Sequence, residues 1–268
     1  MEILCLILVL VGFDRVVASG RVRALPTLGP RWLRARAVAF HYVRTAPATY
    51  AYAFVLLITS WVLQTSSTKI ADRLLLERST NLNHLAHNPV RVLIASAFWL
   101  DSGTQFFAWL LLLTLVMAPF ERRVGSALTI GVFAIGHVLA TLLTAAGLWV
   151  ALQTDAVEHS VVNARDVGAS YGFLAVAACF AFLVDRRLRP FYVGGLVLIV
   201  AVLAAASTDF TSFGHLISVA IGLACYPLVR RHAVRLAPAG SALADRAELF
   251  YRAVKARRRE EVTASPPG

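Results

Sequence analysis

The chain has 268 residues, 58% of them hydrophobic, with a mean hydropathy of +0.68, which exceeds what a soluble core needs and predicts a membrane protein. The formal net charge of +11 comes from basic residues that flank apolar runs and form no face of their own. This pattern argues against nucleic-acid binding.

The first 45 residues form a basic segment with a short apolar start. Six arginines and no acid lie between Arg21 and Arg44, which places this segment in the cytoplasm by the positive-inside rule. The apolar run before them, Ile3 to Phe13, is short for a membrane span, so we expect it to be interfacial or dispensable. Whether residues 1–20 belong to the mature chain stays open.

Residues 46–230 carry six apolar runs that we interpret as membrane-spanning helices. The first and second are joined by a long external loop, residues 66–103, whose amphipathic stretch from Val90 to Leu100 is expected to lie partly in the membrane interface. Every predicted inner end is basic, so both termini are predicted to be cytoplasmic. The predicted spans are Thr49–Thr65, Gln105–Phe120, Ala127–Leu152, Val167–Val184, Phe191–Ala206 and Phe213–Val229.

The remaining residues, 231–268, form a basic tail that we expect to be a solvated helix attracted to anionic lipid. The sequence thus predicts a multi-pass, all-α protein of the inner or plasma membrane. Its three cysteines lie far apart in apolar sequence, and His84 and His87 have no neighbouring carboxylate to complete a metal site. We expect no cofactor and no metal.

Polar residues at membrane depth are costly and mark candidate functional sites. Ser170 begins the fourth predicted span, where helix amides and the positive end of the helix dipole favour a developing oxyanion. His215, on the sixth span, is predicted at a similar depth and is a candidate base for the serine. The alternative is that Ser170 caps a helix and His215 makes an interhelical hydrogen bond.

Small residues line the two spans that carry Ser170 and His215. Ser218 and Gly222 share a helical face with His215, while Gly168 and Gly172 form a small-xxx-small pair around Ser170. These faces allow the helices to approach within hydrogen-bonding distance. On the third span, His137 and Thr141 are one turn apart, where we expect a structural hydrogen bond, with a proton relay as the alternative.

This arrangement resembles the rhomboid family of intramembrane serine proteases, over residues 49–230. Gly168-Ala169-Ser170 occupies the place of the family's GxSG serine, and His215 with its small neighbours that of the histidine on helix six. Residues 121–126, Glu-Arg-Arg-Val-Gly-Ser, are similar to the ExRxGS motif, and Val90-Arg91 stands at the Trp-Arg position. The resemblance implies a six-transmembrane-helix rhomboid-like bundle with Ser170 and His215 as a catalytic dyad.

The sequence departs from the family in two places around the serine. Tyr171 follows Ser170 where most active members have glycine, and the helix-two His and Asn of the oxyanion hole fall near Gln105 and Trp109. The resemblance implies that Gln105, Gly168 and Tyr171 support the oxyanion site. Loss of one oxyanion donor costs about 10²–10³ in rate, so catalysis would be slow or absent.

Three functions compete. The first is an intramembrane serine protease that cleaves transmembrane segments of membrane proteins. The second is a rhomboid-like pseudoprotease that binds client transmembrane helices without cutting them, favoured by Tyr171 and Trp109. The third is a small transporter that titrates His137 and His215, although the halves of the chain show no internal repeat. The expected partners are transmembrane proteins and membrane lipid.

Overall fold

The structure, a computed structural model, describes residues 28–163, 165–206 and 210–230, and all regular structure in these ranges is helical. Residues 46–230 lie in one compact unit, and the helix that precedes them, α1 (Leu28–Thr45), belongs to a separate unit. The predicted apolar start, Ile3 to Phe13, and the basic tail, 231–268, lie outside the described residues.

The compact unit is a helical bundle with three short helices between its first two long ones. The second long helix, α6, begins with a 3₁₀ turn and contains one π-helical turn at Leu113–Met117. The helices are α2 (Pro47–Thr65), α3 (Thr68–Glu77), α4 (Leu82–His87), α5 (Pro89–Ser96), α6 (Gly103–Val124), α7 (Ser126–Gln153), α8 (Ser170–Phe180), α9 (Arg189–Ala206), α10 (Thr211–Ala224) and α11 (Tyr226–Arg230).

Four helical stretches of the described residues are long and apolar enough to cross a membrane: α2, α6, α7 and the continuous pair α10–α11. The protein is therefore an all-α, multi-pass membrane protein, as the sequence predicts. Two further apolar stretches, α8 with the turn that follows it (Ser170–Leu183) and α9 as far as Ala205, are 10–17 residues long and fall short of this length. The count of six spans and the cytoplasmic location of both termini stay predictions.

Helix α8 lies at the centre of the bundle. Every residue from Tyr171 to Cys179 except Leu174 is buried, as expected for a helix that is apolar on all sides. Glycines bring its neighbours into close contact: a Cβ at Gly136 of α7 would overlap the Ala175 side chain, and one at Gly222 of α10 would overlap the Ala175 carbonyl. The path of α8 is thus fixed on two sides by backbone-to-backbone packing.

The end of the bundle opposite Ser170 is held by a buried carboxylate. Glu121, near the end of α6, accepts hydrogen bonds from the Ala48 and Thr49 amides, at 2.8 and 2.7 Å, and from the Thr49 hydroxyl, at 2.7 Å. The Ser126 hydroxyl donates a fourth, at 2.6 Å. The first amides of a helix lack partners within it, so Glu121 caps α2 and complements its dipole.

Two residues further on, Arg123 performs the matching role at the end of the serine helix. Its Nη1 donates a 2.6 Å hydrogen bond to the Leu183 carbonyl, and its guanidinium lies over the Phe180 ring, 5.6 Å from the centroid. Between these residues and α7, Gly125 has φ +88°, a left-handed conformation that favours glycine. The run 121–126 therefore joins the ends of α2, α6, α7 and α8, and we call this the Glu121 end.

Candidate active site

Ser170 is the first residue of α8, and the backbone before it is fixed by residues 66–103, the segment between α2 and α6. The Gly168 amide donates a 3.1 Å hydrogen bond to the Ser96 carbonyl at the end of α5, and Gly168 has φ +135°, where a side chain would strain the backbone. The Ser170 side chain is half-buried, and its hydroxyl has no hydrogen-bond partner among the described residues. A nucleophile at this position would be free to react.

His215 lies on α10 at the same end of the bundle. One turn further along this helix, the buried Ser218 hydroxyl donates a hydrogen bond to the Tyr171 carbonyl, which fixes the relative height of α8 and α10. The His215 and Tyr171 rings meet edge to face, with centroids 5.4 Å apart and an interplanar angle of 73°. His215 therefore contacts the residue next to Ser170.

The structure does not join Ser170 and His215 directly. Among the described residues no hydrogen bond links the two side chains, and the Tyr171 ring is the neighbour of the imidazole. Hydrogen bonds between catalytic groups are often long in an unliganded site and tighten when substrate binds. Both side chains lie at the same end of two packed helices. A local rearrangement would be needed to bring them within hydrogen-bonding distance.

Of the residues predicted to pack α8 against α10, Ser218 and Gly222 lie at that interface, whereas Gly172 faces α7 instead. Gly222 and Ser218 face α8 as described above, and a Cβ at Gly172 would overlap the Phe133 ring of α7. Gly214, which sequence reasoning passed over, lies directly beneath the Tyr171 ring, with no room for a Cβ. The only sequence signal for it was its position beside His215 on a face of small residues.

Gln105 and Trp109, at the family's oxyanion positions, do not bring a donor to Ser170. Gln105 ends the 3₁₀ turn of α6 and is exposed, and no hydrogen bond within the described ranges joins it to Ser170. The Trp109 ring meets the Phe173 ring edge to face, with centroids 5.5 Å apart. Phe173 is one turn along α8 from Ser170, so an apolar pair stands there and the α8 amides remain as candidate oxyanion donors.

Tyr171 contacts a buried acid, Asp166, that the sequence analysis did not single out. Its hydroxyl lies 3.5 Å from Asp166 Oδ2 and 3.5 Å from the Thr211 carbonyl. Thr80 donates from its amide to the Asp166 carbonyl and from its hydroxyl to Asp166 Oδ2, at 2.9 and 3.1 Å. The Asp166 amide donates to Ser79 Oγ at 2.8 Å. Ser79 and Thr80, in the segment between α2 and α6, thus hold Asp166 beside Tyr171.

The charge state of Asp166 depends on its burial. Desolvation raises the pKa of this carboxyl to about 6; the Thr80 hydrogen bond opposes the rise, the nearby Asp101 adds to it, and the Tyr171 hydrogen bond opposes it. Arg165 lies between Asp72 and Asp101, 3.5 and 3.6 Å from their carboxylates. Asp166 therefore changes charge close to neutral pH.

His137 contacts the external loop through hydrogen bonds. Its Nε2 lies 2.9 Å from the Leu93 carbonyl and 3.2 Å from Ser96 Oγ, so it ties α7 to the end of α5. Its Nδ1 and the Thr141 hydroxyl, along the same face of α7, are buried without partners in the described part of the chain, and Thr144 on that face lies beside the Tyr171 hydroxyl. A structural hydrogen bond is thus the observed role of His137.

Comparison with known proteins bears on this site. A family model described as rhomboid-like protein matches residues 41–235, which includes every helix of the compact unit. No curated protein and no solved structure matches the chain significantly.

Proposed function

The chain belongs to the family of rhomboid-like proteins, and from this premise we propose that it is an intramembrane serine protease that cleaves transmembrane segments of other membrane proteins. Ser170 would attack the peptide carbonyl, while His215 would take the serine proton and return it to the leaving amine. The amides at the start of α8 would hold the oxyanion. The expected location is the inner or plasma membrane.

One observation supports this proposal above the others. The Ser218 hydrogen bond to the Tyr171 carbonyl sets α8 and α10 in register, so that Ser170 and His215 occupy the same end of directly packed helices. The free hydroxyl of Ser170 and the half-buried imidazole of His215 are the two groups that nucleophilic catalysis requires. Substrate binding would need only to close the distance between them.

A second candidate is a pseudoprotease that binds transmembrane helices without cutting them. It is favoured by the contact between Trp109 and Phe173, which puts two apolar rings where the family has a hydrogen-bond donor, and by the missing hydrogen bond between Ser170 and His215. A site of this kind would retain the binding surface and lack transition-state stabilisation.

A fluorophosphonate probe applied to the purified protein in detergent separates the two candidates. We expect the wild-type protein to be labelled, and Ser170→Ala and His215→Ala to lose labelling by at least about 10²-fold, the range for removal of a nucleophile or its base. Ser60→Ala, which alters a buried serine of α2, and His87→Ala, which alters an exposed histidine, serve as matched controls.

The control variants should react like the wild type. A wild-type protein that unfolds cooperatively but is not labelled would refute the protease and support the pseudoprotease. Labelling that survives in Ser170→Ala would show that another residue is the nucleophile.

A further inference from the structure

His215 has no hydrogen bond in the described part of the chain, so neither ring nitrogen fixes its orientation. A catalytic base is normally oriented by a third group, as in serine–histidine–acid triads. Here the neighbour is the Tyr171 ring, which meets the imidazole edge to face at 5.4 Å. Aromatic pairs of this geometry are attractive and directional. Tyr171 is therefore placed to orient His215.

The hydroxyl end of the Tyr171 ring is confined by contacts of two kinds. It lies against Gly214, where even a Cβ would overlap Oη, Cζ and Cε1, so it cannot move closer to α10. At its tip the hydroxyl reaches Asp166 Oδ2 and the Thr211 carbonyl. Gly214 thus limits the approach of the ring to α10, and the polar neighbours of the hydroxyl, which also include the Thr144 side chain, hold its tip.

Asp166 is held more firmly than the tyrosine it contacts. Its backbone is bound on both sides by Ser79 and Thr80, at 2.8 and 2.9 Å, and the Thr80 hydroxyl fixes its carboxyl group. These contacts connect residues more than 80 positions apart in the chain. The external loop thus supplies a rigid platform on which the Tyr171 hydroxyl rests.

We propose that Asp166 is a positioning residue for the serine–histidine pair: it holds the Tyr171 hydroxyl, and the Tyr171 ring in turn orients His215 towards Ser170. The expected effect of Asp166 on catalysis depends on the proposed protease function. The chain of contacts from Asp166 to His215 is independent of that proposal. Asp166 takes the place of the acid of a triad but acts through an intervening ring.

The ionised form of Asp166 is the effective one. A carboxylate accepts a hydrogen bond roughly twice as strong as a neutral carboxyl group does. Since burial raises the pKa of Asp166 to about 6, the carboxylate forms as the pH rises through that value. The charged and titratable groups around it are Asp101, Arg165 with its second partner Asp72, His84 against the Ser79 carbonyl, and Tyr171 with His215.

The test compares fluorophosphonate labelling rates from pH 5 to 8 in Asp166→Asn, Tyr171→Phe and the double variant. Each single variant should label roughly tenfold more slowly than the wild type, the effect of losing one hydrogen bond. The double variant should be no slower than the singles, because both changes break the same contact. The part of the pH profile that rises near pH 6 should be missing from Asp166→Asn.

Two matched controls test whether loosening the structure has the same effect. Asp185→Asn makes the same acid-to-amide change at an exposed residue outside this chain of contacts, and Tyr192→Phe removes a tyrosine hydroxyl that donates to the Ala177 carbonyl elsewhere in the bundle. Both should label at the wild-type rate. Faster labelling of Tyr171→Phe would overturn the proposal, because the ring would then obstruct His215, and so would additive effects in the double variant.

A measurement without catalysis distinguishes failure of this inference from failure of the protease proposal. In protein labelled with ¹⁵N-histidine, the His215 ring signal is assigned by its loss in His215→Ala. It should shift in Asp166→Asn and Tyr171→Phe and stay in place in the two controls. Shifts without any probe labelling would leave the positioning role standing and refute the protease. An unmoved signal in both variants would refute the positioning role.

Discussion

At the Glu121 end of the bundle one carboxylate accepts four hydrogen bonds of 2.6–2.8 Å, whereas at the Ser170 end the Tyr171 hydroxyl lies 3.5 Å from both of its acceptors. The Ser170 end also contains His137 Nδ1 and the Thr141 hydroxyl, buried without partners among the described residues. Both ends are polar, but only the Glu121 end is fully satisfied.

This difference separates two uses of buried polar groups. A network whose donors and acceptors are all paired fixes one arrangement of helices and contributes to stability. Groups with long or missing partners contribute little to stability, but they can bond to a substrate without first breaking strong internal bonds. We expect the Glu121 end to be the anchor of the bundle and the Ser170 end to be its adaptable region.

The largest expected effect is from Glu121→Ala. Removal of the carboxylate leaves two amides and two hydroxyls without their acceptor, so the free energy of unfolding should fall by about 4 kcal/mol. Equilibrium unfolding in mixed micelles measures this free energy. Glu77→Ala, which breaks only an exposed ion pair with Arg73, should change it by less than about 0.5 kcal/mol. If Glu121→Ala lowered the free energy of unfolding by less than about 1 kcal/mol, the Glu121 end would not be the more stable end of the bundle.

The second prediction concerns pH and the Ser170 end. Because the folded-state pKa of Asp166 is raised from 3.8 to about 6, the folded protein binds its proton more tightly than the unfolded chain does. The contribution of Asp166 to stability is therefore greatest below about pH 4 and is lost as the pH rises to about 6, by about 3 kcal/mol.

The measurement for Asp166 is the free energy of unfolding at pH 4 and at pH 7. Asp166→Asn should remove the part of the pH dependence that Asp166 supplies, and Asp185→Asn, which alters an exposed loop acid, should leave the dependence unchanged. The same slope in Asp166→Asn and in the wild type would show that Asp166 is solvated rather than buried.

The smallest expected effect compares two buried threonines directly. Thr49→Val removes a hydroxyl that donates to Glu121 at 2.7 Å and should lower the free energy of unfolding by about 2 kcal/mol. Thr141→Val removes a hydroxyl without a partner and should leave stability unchanged within about 0.5 kcal/mol or raise it slightly. Equal losses would mean that both ends are equally satisfied, with ordered water at Thr141.

Most of the helical architecture is predictable from apolar length alone. The predicted spans Thr49–Thr65 and Ala127–Leu152 fall within α2 and α7, because lipid requires about 20 apolar residues with all backbone groups bonded internally. The resemblance to the rhomboid family is confirmed by the matched family model. The shorter helices α8 and α9 leave the sixfold count as a prediction, since length alone does not decide them.

The members of the candidate site stand out in the sequence, and their connections do not. Ser170 and His215 are conspicuous as polar groups in apolar sequence, whereas Asp166 looks like any acid in an external loop. Its contacts with Ser79 and Thr80 join residues more than 80 positions apart, which no local pattern encodes. The roles of Gln105, Gly168 and Tyr171 in oxyanion support stay predictions.

The capping of two helices by the run 121–126 has a consequence for biosynthesis. Thr49 leaves the ribosome 72 residues before Glu121, and Arg123 leaves it 60 residues before Leu183. The start of α2 is therefore solvated by water or lipid headgroups until α6 has been made, and the end of α6 then waits for the end of the α8 segment. Synthesis and assembly proceed in one direction, and the segment with Ser170 is secured late, after the scaffold that receives it exists.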